Sequence, residues 1–249
     1  MNDHVSGMIL RQMDYRDYDA ILTVLTKEYG KISFHAGGVR KMSSRNAGSI
    51  LPYTMAEFSF DYRPGKTMFR MKTARTRKLW RSMHEDLQKS SAAAVAAEAC
   101  DALTLEGMEN ADVEKTFDLL DKTFDLIDEG RNCDTVLSLF LSDLLRISGL
   151  APDVDECTRC GRKQAAAISA KDGGFLCRQD AEAAGVPLSS IEDLHRFRLL
   201  VKGGLEHYEI IEKAGGAERK DLRILIEIIR LHAGVNMKSF SLFDRLFDH

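Results

Sequence analysis

No window of eighteen or more apolar residues occurs along the 249 positions, so no segment has the length and character of a membrane-spanning helix. The opening Met1-Asn2-Asp3-His4 is not a basic start leading into an apolar run, and the expectation is a soluble, unexported, cytoplasmic protein. A Gly-x4-Gly-Lys-Ser/Thr loop is also lacking, which removes ATP from the expected cofactors. No Ser/His/Asp constellation can be placed, and the basic half has no clustered carboxylates for a two-metal nuclease site, so no catalytic residue is expected. Five cysteines is an odd number: Cys100 and Cys133 stand alone in helical patterns, and the other three cluster after Pro152. That distribution suits a reducing compartment and a metal site better than a disulfide framework. Internal repeats and low-complexity linkers are absent as well.

What is present is ordinary globular composition, 44% hydrophobic and 29% charged, with an uneven distribution of charge. From Lys27 to Arg81 thirteen Lys or Arg face only Glu28, Glu57 and Asp61. Residues 1–82 carry +8 and the remainder −11, although the whole chain is at −3. A basic pole of this kind suits phosphate neutralisation, because each cation that displaces a condensed counterion gains free energy whatever the base sequence. The plainer alternative is a solvated face that keeps the domain soluble.

The N-terminal region reads as five short strands: Val5–Gln12, Ala20–Thr26, Lys31–Ala36, Tyr53–Tyr62 and Thr67–Arg77. Five strands in some seventy residues suggest a small closed barrel. Phe34, Phe58 and Phe60 are assigned to its core, since aromatics in strands usually fill it. Arg70 and Lys72 fall on the opposite pleat face from Phe69 and Met71, away from the core. Beyond Lys78 the periodicity becomes helical. Helices are expected over 90–107, 110–130 and 134–147, and again over 189–201, up to Lys213, over 221–233 and over 240–247. The acid-rich face of the second (Asp112, Glu114, Asp118, Asp121, Asp125, Asp128) is expected to be merely solvated. Asp221–Ala233 is so apolar that burial against the earlier helices is expected. The helical half looks like one bundle interrupted by a cysteine loop.

In that loop Cys157-Thr158-Arg159-Cys160-Gly161 is a knuckle. Two thiolates separated by two residues can converge on one tetrahedral metal, and the glycine lets the backbone turn beneath it. Cys177 follows, with Asp180 standing where a zinc ribbon would have its fourth cysteine. Cys157, Cys160, Cys177 and Asp180 are therefore the candidate ligands of one structural zinc, with the carboxylate, a harder ligand, weakening the site relative to four thiolates. The alternatives are a degenerate knuckle held by packing alone and a catalytic zinc with an open position. The second needs a general acid or base, and the His-x-Glu that precedes Pro-Cys-x-x-Cys in zinc deaminases is missing.

Taken together, Gly7-Met8-Ile9-Leu10-Arg11, Tyr15-Arg16-Asp17-Tyr18-Asp19, Leu25-Thr26-Lys27-Glu28-Tyr29-Gly30-Lys31, Gly37-Gly38-Val39-Arg40-Lys41, Ser44-Arg45, Leu51-Pro52-Tyr53, and Phe140–Gly149 leading into the Cys157 knuckle resemble the RecO family of bacterial recombinational repair proteins. The resemblance covers essentially the whole chain, with Thr26–Lys41 its most specific part. It implies an α+β architecture: an OB-fold barrel over 1–80, a helical domain in two parts over 81–150 and 183–249, and a zinc-knuckle insertion over 151–182. It further implies binding of single- and double-stranded DNA, annealing of complementary strands, contact with the C-terminal tail of single-strand-binding protein, and partnership with RecR in loading recombinase. Zinc is not universal in such proteins, and the match departs at Asp180.

OB-folds hold single strands by tracking phosphates with cations and stacking bases on aromatic rings. The candidate DNA contacts are Lys31, Arg40, Lys41, Arg45, Arg70, Lys72, Arg75 and Arg77. His35, on the opposite pleat face from Phe34, is expected to be merely exposed, with stacking on a base as the alternative, and Tyr62 and Phe69 are open between core and stacking roles. Arg131, Arg146 and Arg196 are candidates to receive the tail's terminal carboxylate. A zinc-ribbon transcriptional regulator, or another non-enzymatic nucleic-acid-binding scaffold, is the competing class.

Overall fold

The structure, a computed structural model, describes residues 3–105 and 108–247. By its internal contacts the chain divides into two compact units, 1–129 and 130–249.

The first unit opens with β1 (Asp3–Tyr15), β2 (Asp19–Thr26), β3 (Gly30–Ala36), β4 (Thr54–Phe60), β5 (Met68–Arg70) and β6 (Thr73–Leu79), hydrogen-bonded in the order β5-β3-β2-β1-β4-β6. The sheet thus has six strands where the sequence predicts five. The predicted fifth strand breaks at Met71-Lys72 because its two halves serve different neighbours. Met68–Arg70 runs parallel to β3, and Thr73–Leu79 runs antiparallel to β4. At the corner the Met71 amide donates to His35 O (3.0 Å) and the Lys72 amide to Ser59 O (2.8 Å), which closes the sheet into an OB-fold-like barrel. β1 is long because it pairs along one edge with β2 and along the other with β4, and its register slips between Ile9 and Arg11. Such a bulge bends a strand enough to serve both sides.

Alternation places Phe34, Phe58 and Phe60 inside, as expected, together with Val5 and Leu22. Phe34 stacks on Phe58 at 4.8 Å and meets Phe60 edge-on at 5.2 Å. Phe69 resolves to the core, while Tyr62 stays 39% exposed and stacks between Tyr29 and Phe69. The outer edge of β6 is capped by side chains of the loop before β4: Asn46 Oδ1 accepts from the Ala74 amide and Ser49 Oγ from the Thr76 amide. An edge satisfied in this way cannot template a further strand.

The same unit contains α1 (Arg81–Glu85), α2 (Leu87–Leu103) and α3 (Asn110–Asp128). The predicted end of the second of these at Gly107 lies outside the described residues. α2 buries an almost continuous alanine surface, including Ala92, Ala93, Ala96 and Ala97. The acidic face of α3 is not merely solvated. Asp118 pairs with Lys27 (2.5 Å), Asp121 and Asp125 with Lys78 (2.9 and 2.7 Å), and Asp125 also accepts from Trp80 Nε1 (2.7 Å). Asp128 accepts from Ser82 Oγ and from the Met83 amide. Helical periodicity gives only the outward direction of these carboxylates; what stands opposite them comes from the turn after β2, from the end of β6 and from α1, more than forty residues away in sequence.

The second unit is organised on α4 (Cys133–Ile147), whose Val136, Leu137, Phe140, Leu141, Leu144 and Leu145 are buried. Asn132 caps it by accepting from the amides of Asp134 and Thr135. β7 (Ala167–Ser169), β8 (Gly174–Leu176), α5 (Arg178–Ala184), α6 (Ile191–Gly203), α7 (Tyr208–Lys213), α8 (Arg219–Ile228) and α9 (Lys238–Leu246) follow. α8 buries Leu222, Leu225, Ile226 and Ile228 and packs on α4, after which the chain widens into a π turn over Ile229–Ala233. A buried Asp221 is answered by Arg196 at 2.6 Å and closes a capping box with Glu218.

Candidate nucleic-acid interface and metal centre

The ladder registers of the barrel define a surface that residue spacing does not show. Met13 pairs with Ile21, Ile21 with His35, and His35 with Arg70, so four side chains from four strands form one row across the outer face. A second row, Arg11, Thr23, Ser33 and Met68, lies beside it. Met13 and Met68 are about half exposed, at 48% and 52%. Tyr15 meets His35 edge-on at 5.7 Å, and the neighbouring turn exposes Tyr18 with Lys41 over its ring at 5.5 Å. Apolar, aromatic and cationic groups thus alternate over one outer face, the combination that stacks bases and neutralises phosphates.

His35 is not simply exposed. Its Nε2 lies 2.8 Å from Asp19 Oδ2, and the Gly38 amide donates to Asp19 Oδ1 at 2.8 Å. The Gly38 amide first, and His35 second, hold the Asp19 carboxyl below the usual carboxylate range. Asp19 therefore ties the start of β2 to the end of β3 and to the loop that carries Arg40, Lys41 and Arg45.

The eight predicted DNA contacts fall into different environments. Lys31 is turned to Asp101 of α2 (3.2 Å), Arg40 to Asp14 (2.9 Å), Lys72 to Asp61 (2.5 Å), and Arg77 to Glu57. Lys41, Arg45, Arg70 and Arg75 are exposed and make no ion pair among the described residues. The break at Met71-Lys72 also separates Arg70, which joins the row beside β3, from Arg75 and Arg77, which lie on β6 beside β4 and Glu57. Met13, Tyr15, Tyr18 and Ile21 are surface residues that the charge count passed over. The signal available for them was the turn Tyr15–Asp19, with two tyrosines around an arginine in a left-handed conformation (φ 52°).

The cysteine loop folds as predicted. The Cys157, Cys160 and Cys177 sulfurs and an Asp180 oxygen all lie within 4.8 Å of one another and could hold a metal ion. Asp180 Oδ2 is 3.2 Å from Cys157 Sγ and 3.1 Å from Cys177 Sγ, and the Cys160 and Cys177 sulfurs are 3.6 Å apart. Ligands about 2.3 Å from a tetrahedral ion stand roughly 3.8 Å from one another, so the donor set fits such an ion after small adjustments. Local structure explains the arrangement. Gly161 takes φ +71° as the Gly161 amide turns back to Cys157 O (2.8 Å). The β7–β8 hairpin delivers Cys177 to the N-terminus of α5, and Asp180, three residues on, shares its face of the first turn. Gly174 cannot be replaced without disruption: a Cβ there would stand 2.1 Å from Asp153 O. Hydrogen bonds from Cys160, Cys177 and Cys157 hold the Asp180 carboxyl down to about 2, and the same carboxylate pushes Cys160 up to about 12. A cation would replace these shared protons.

Comparison with known proteins decides the family. The model for the Recombination protein O N terminal matches residues 1–80, and that for the Recombination protein O C terminal matches residues 84–240. The chain belongs to the RecO family. A DNA repair protein RecO of Bacillus pumilus (strain SAFR-032) is 30% identical over 173 residues, 69% of this chain and 66% of that protein. One from Desulforamulus reducens is 31% identical over 180 residues, 71% of this chain and 68% of that protein. One from Anaeromyxobacter dehalogenans (strain 2CP-C) is 27% identical over 248 residues, 97% of this chain and 96% of that protein. RecO membership places the chain in DNA repair and recombination. No helix among the described residues is long and apolar enough to cross a membrane.

The cations nominated for a partner's tail are all engaged in the RecO helical unit. Arg131 pairs with Glu209 (3.0 Å), Arg146 with Asp143 (2.5 Å), and Arg196 with Asp193, Glu218 and Asp221 (2.6, 2.9 and 2.6 Å). Arg196 is the most deeply committed of the three, its side chain 15% exposed.

Proposed function

We propose that this chain is a non-enzymatic recombination mediator that binds single- and double-stranded DNA, anneals complementary strands and helps load recombinase onto strands coated by single-strand-binding protein. The observation that carries the reading is the row Met13, Ile21, His35, Arg70, which sets stacking and cationic groups side by side on the outer face of the barrel. Annealing needs no catalytic group: a basic surface that holds two strands screens their repulsion and raises their encounter rate. One zinc, held by Cys157, Cys160, Cys177 and Asp180, would act as a cross-link that fixes the Cys157–Cys160 knuckle to the start of α5. RecR and the tail of single-strand-binding protein are the proposed protein partners. The tail's carboxylate would meet Arg131, Arg146 or Arg196 only by displacing the acids already on them.

The test is strand annealing of complementary oligonucleotides without ATP, comparing the intact protein with Arg70→Ala and, as a control on β6, Arg77→Ala. Fast annealing that Arg70→Ala slows markedly more than Arg77→Ala supports the reading. Equal effects would move the interface off the row. With four to six phosphates neutralised, log affinity should fall against log salt with a slope of about −3 to −4 for a single strand. A site-specific regulator would instead bind one duplex sequence about a thousandfold or more above random DNA.

A further inference from the structure

Beyond the row, the turn between β4 and β5 encloses a hollow of about 310 Å³ lined by Arg63, Lys66, Arg70 and Lys72, together with Asp61 and the apolar Met68. Four cations around one carboxylate is an unbalanced set. Asp61 is already engaged by Lys72 at 2.5 Å, and that contact holds the Asp61 carboxyl below its usual range. Arg63, Lys66 and Arg70 are exposed and make no ion pair among the described residues. Arg63 and Lys66 flank Pro64-Gly65, and the Lys66 amide donates to Arg63 O at 3.2 Å, so the two cations are carried on a turn that is already closed.

The hollow lies at the end of the proposed DNA track, because Arg70 is at once the last residue of the row and part of its wall. An internal phosphodiester carries a single charge and is served by one cation. A terminal phosphomonoester carries about −1.5 to −2 at neutral pH and three acceptor oxygens. Three uncommitted cations around one hollow match the second ligand. Lys66 also borders a neighbouring hollow of about 330 Å³ lined by Tyr29 and Tyr62, whose rings are stacked on each other at 4.7 Å, and the terminal base would lie beside that pair.

We infer that the Arg63–Lys66–Arg70 hollow binds the terminal phosphomonoester of a DNA strand, so that the barrel distinguishes a phosphorylated strand end from an unphosphorylated one. The inference rests on the DNA reading above. It is tested with the full-length protein and three versions of one short single strand, carrying a 5′ phosphate, a 3′ phosphate or hydroxyls at both ends, by fluorescence anisotropy at low salt. One of the phosphorylated strands should bind about tenfold more tightly than the hydroxyl-ended strand, the scale of one added charge-assisted contact, and which one it is assigns the strand's polarity on the row. The ratio should fall to about one in Arg63→Ala/Lys66→Ala, two exposed positions, with an unchanged melting curve confirming that this variant folds. Equal affinity for all three strands would overturn the inference and leave the DNA reading standing. A preference that persists in the double variant would overturn the assignment to this hollow, and failure of every strand to bind would overturn both readings.

Discussion

Asp180 and Asp19 are single carboxylates on which separate pieces of structure depend. At the knuckle, Asp180 takes the place of a fourth thiolate, so Asp180→Cys should retain zinc against a chelator at least about tenfold longer, while Asp180→Ala should lose it sooner; metal content after graded chelation reads both. Asp19 makes the opposite kind of contribution, with a carboxyl held low by the Gly38 amide and His35. A depressed acid stabilises the fold above its ordinary value of 3.8 and loses that stabilisation as pH falls through the depressed one. Asp19→Asn should therefore melt lower than the parent at neutral pH, and the gap should narrow on acidification below about pH 4, as followed by circular dichroism. The two sites were not equally legible. Cys157, Cys160, Cys177 and Asp180 are near in sequence and their spacing is chemical in itself. The contacts of Asp19 depend on how β2 and β3 meet the loop after them, and His35 alone looks like a surface histidine.

The elements were legible where a single period governs them. The apolar, β-branched run of β2, the alternation of β3 and the apolar stripe of α3 gave positions that the structure moves by only a few residues. The predicted fifth strand failed because the alternation that buries Phe69 and Met71 slips by one residue to Ala74 as the hydrogen-bond partner changes from β3 to β4. The residues mark the slip only by the move of the cations from Arg70 and Lys72 to the odd positions Arg75 and Arg77, and it carries these two away from the row that Arg70 completes. The knuckle shows the reverse dependence, an element whose integrity rests on one position. Gly174→Ala would drive a methyl group into Asp153 O, so the variant should lose zinc and become protease-sensitive within 151–182, while the near-ultraviolet signal of Trp80 in the first unit stays as it was. On α3, Phe124 is fully buried and meets Trp80 edge-on at 5.1 Å. Phe124→Ala should cost about 3–5 kcal/mol in denaturant unfolding. The half-buried Lys78–Asp121 pair, by contrast, should show a coupling of about 1 kcal/mol or less in a double-mutant cycle, since Lys78 keeps Asp125 as a second partner.

At the scale of the molecule, the division of charge along the sequence is not the division between its compact bodies. Residues 1–129 hold 18 basic and 20 acidic side chains, because the acids of α2 and α3 belong to the same unit as the barrel and several already answer its lysines. The barrel's positive charge is thus largely balanced within a nearly neutral unit, and the count of thirteen cations overstates what DNA can meet. It follows that a fragment ending at residue 129 should melt cooperatively, whereas one ending at residue 80 should not, since it leaves Trp80 and the strand lysines without Phe124 and their acids; calorimetry of the two fragments decides this. The corner at Met71-Lys72 bears on synthesis as well as on the finished fold. Until a ribosome has released the chain through Leu79, β3 and β4 do not both have their edges covered, and any product that terminates before that corner is a pair of adhesive edges without a clasp.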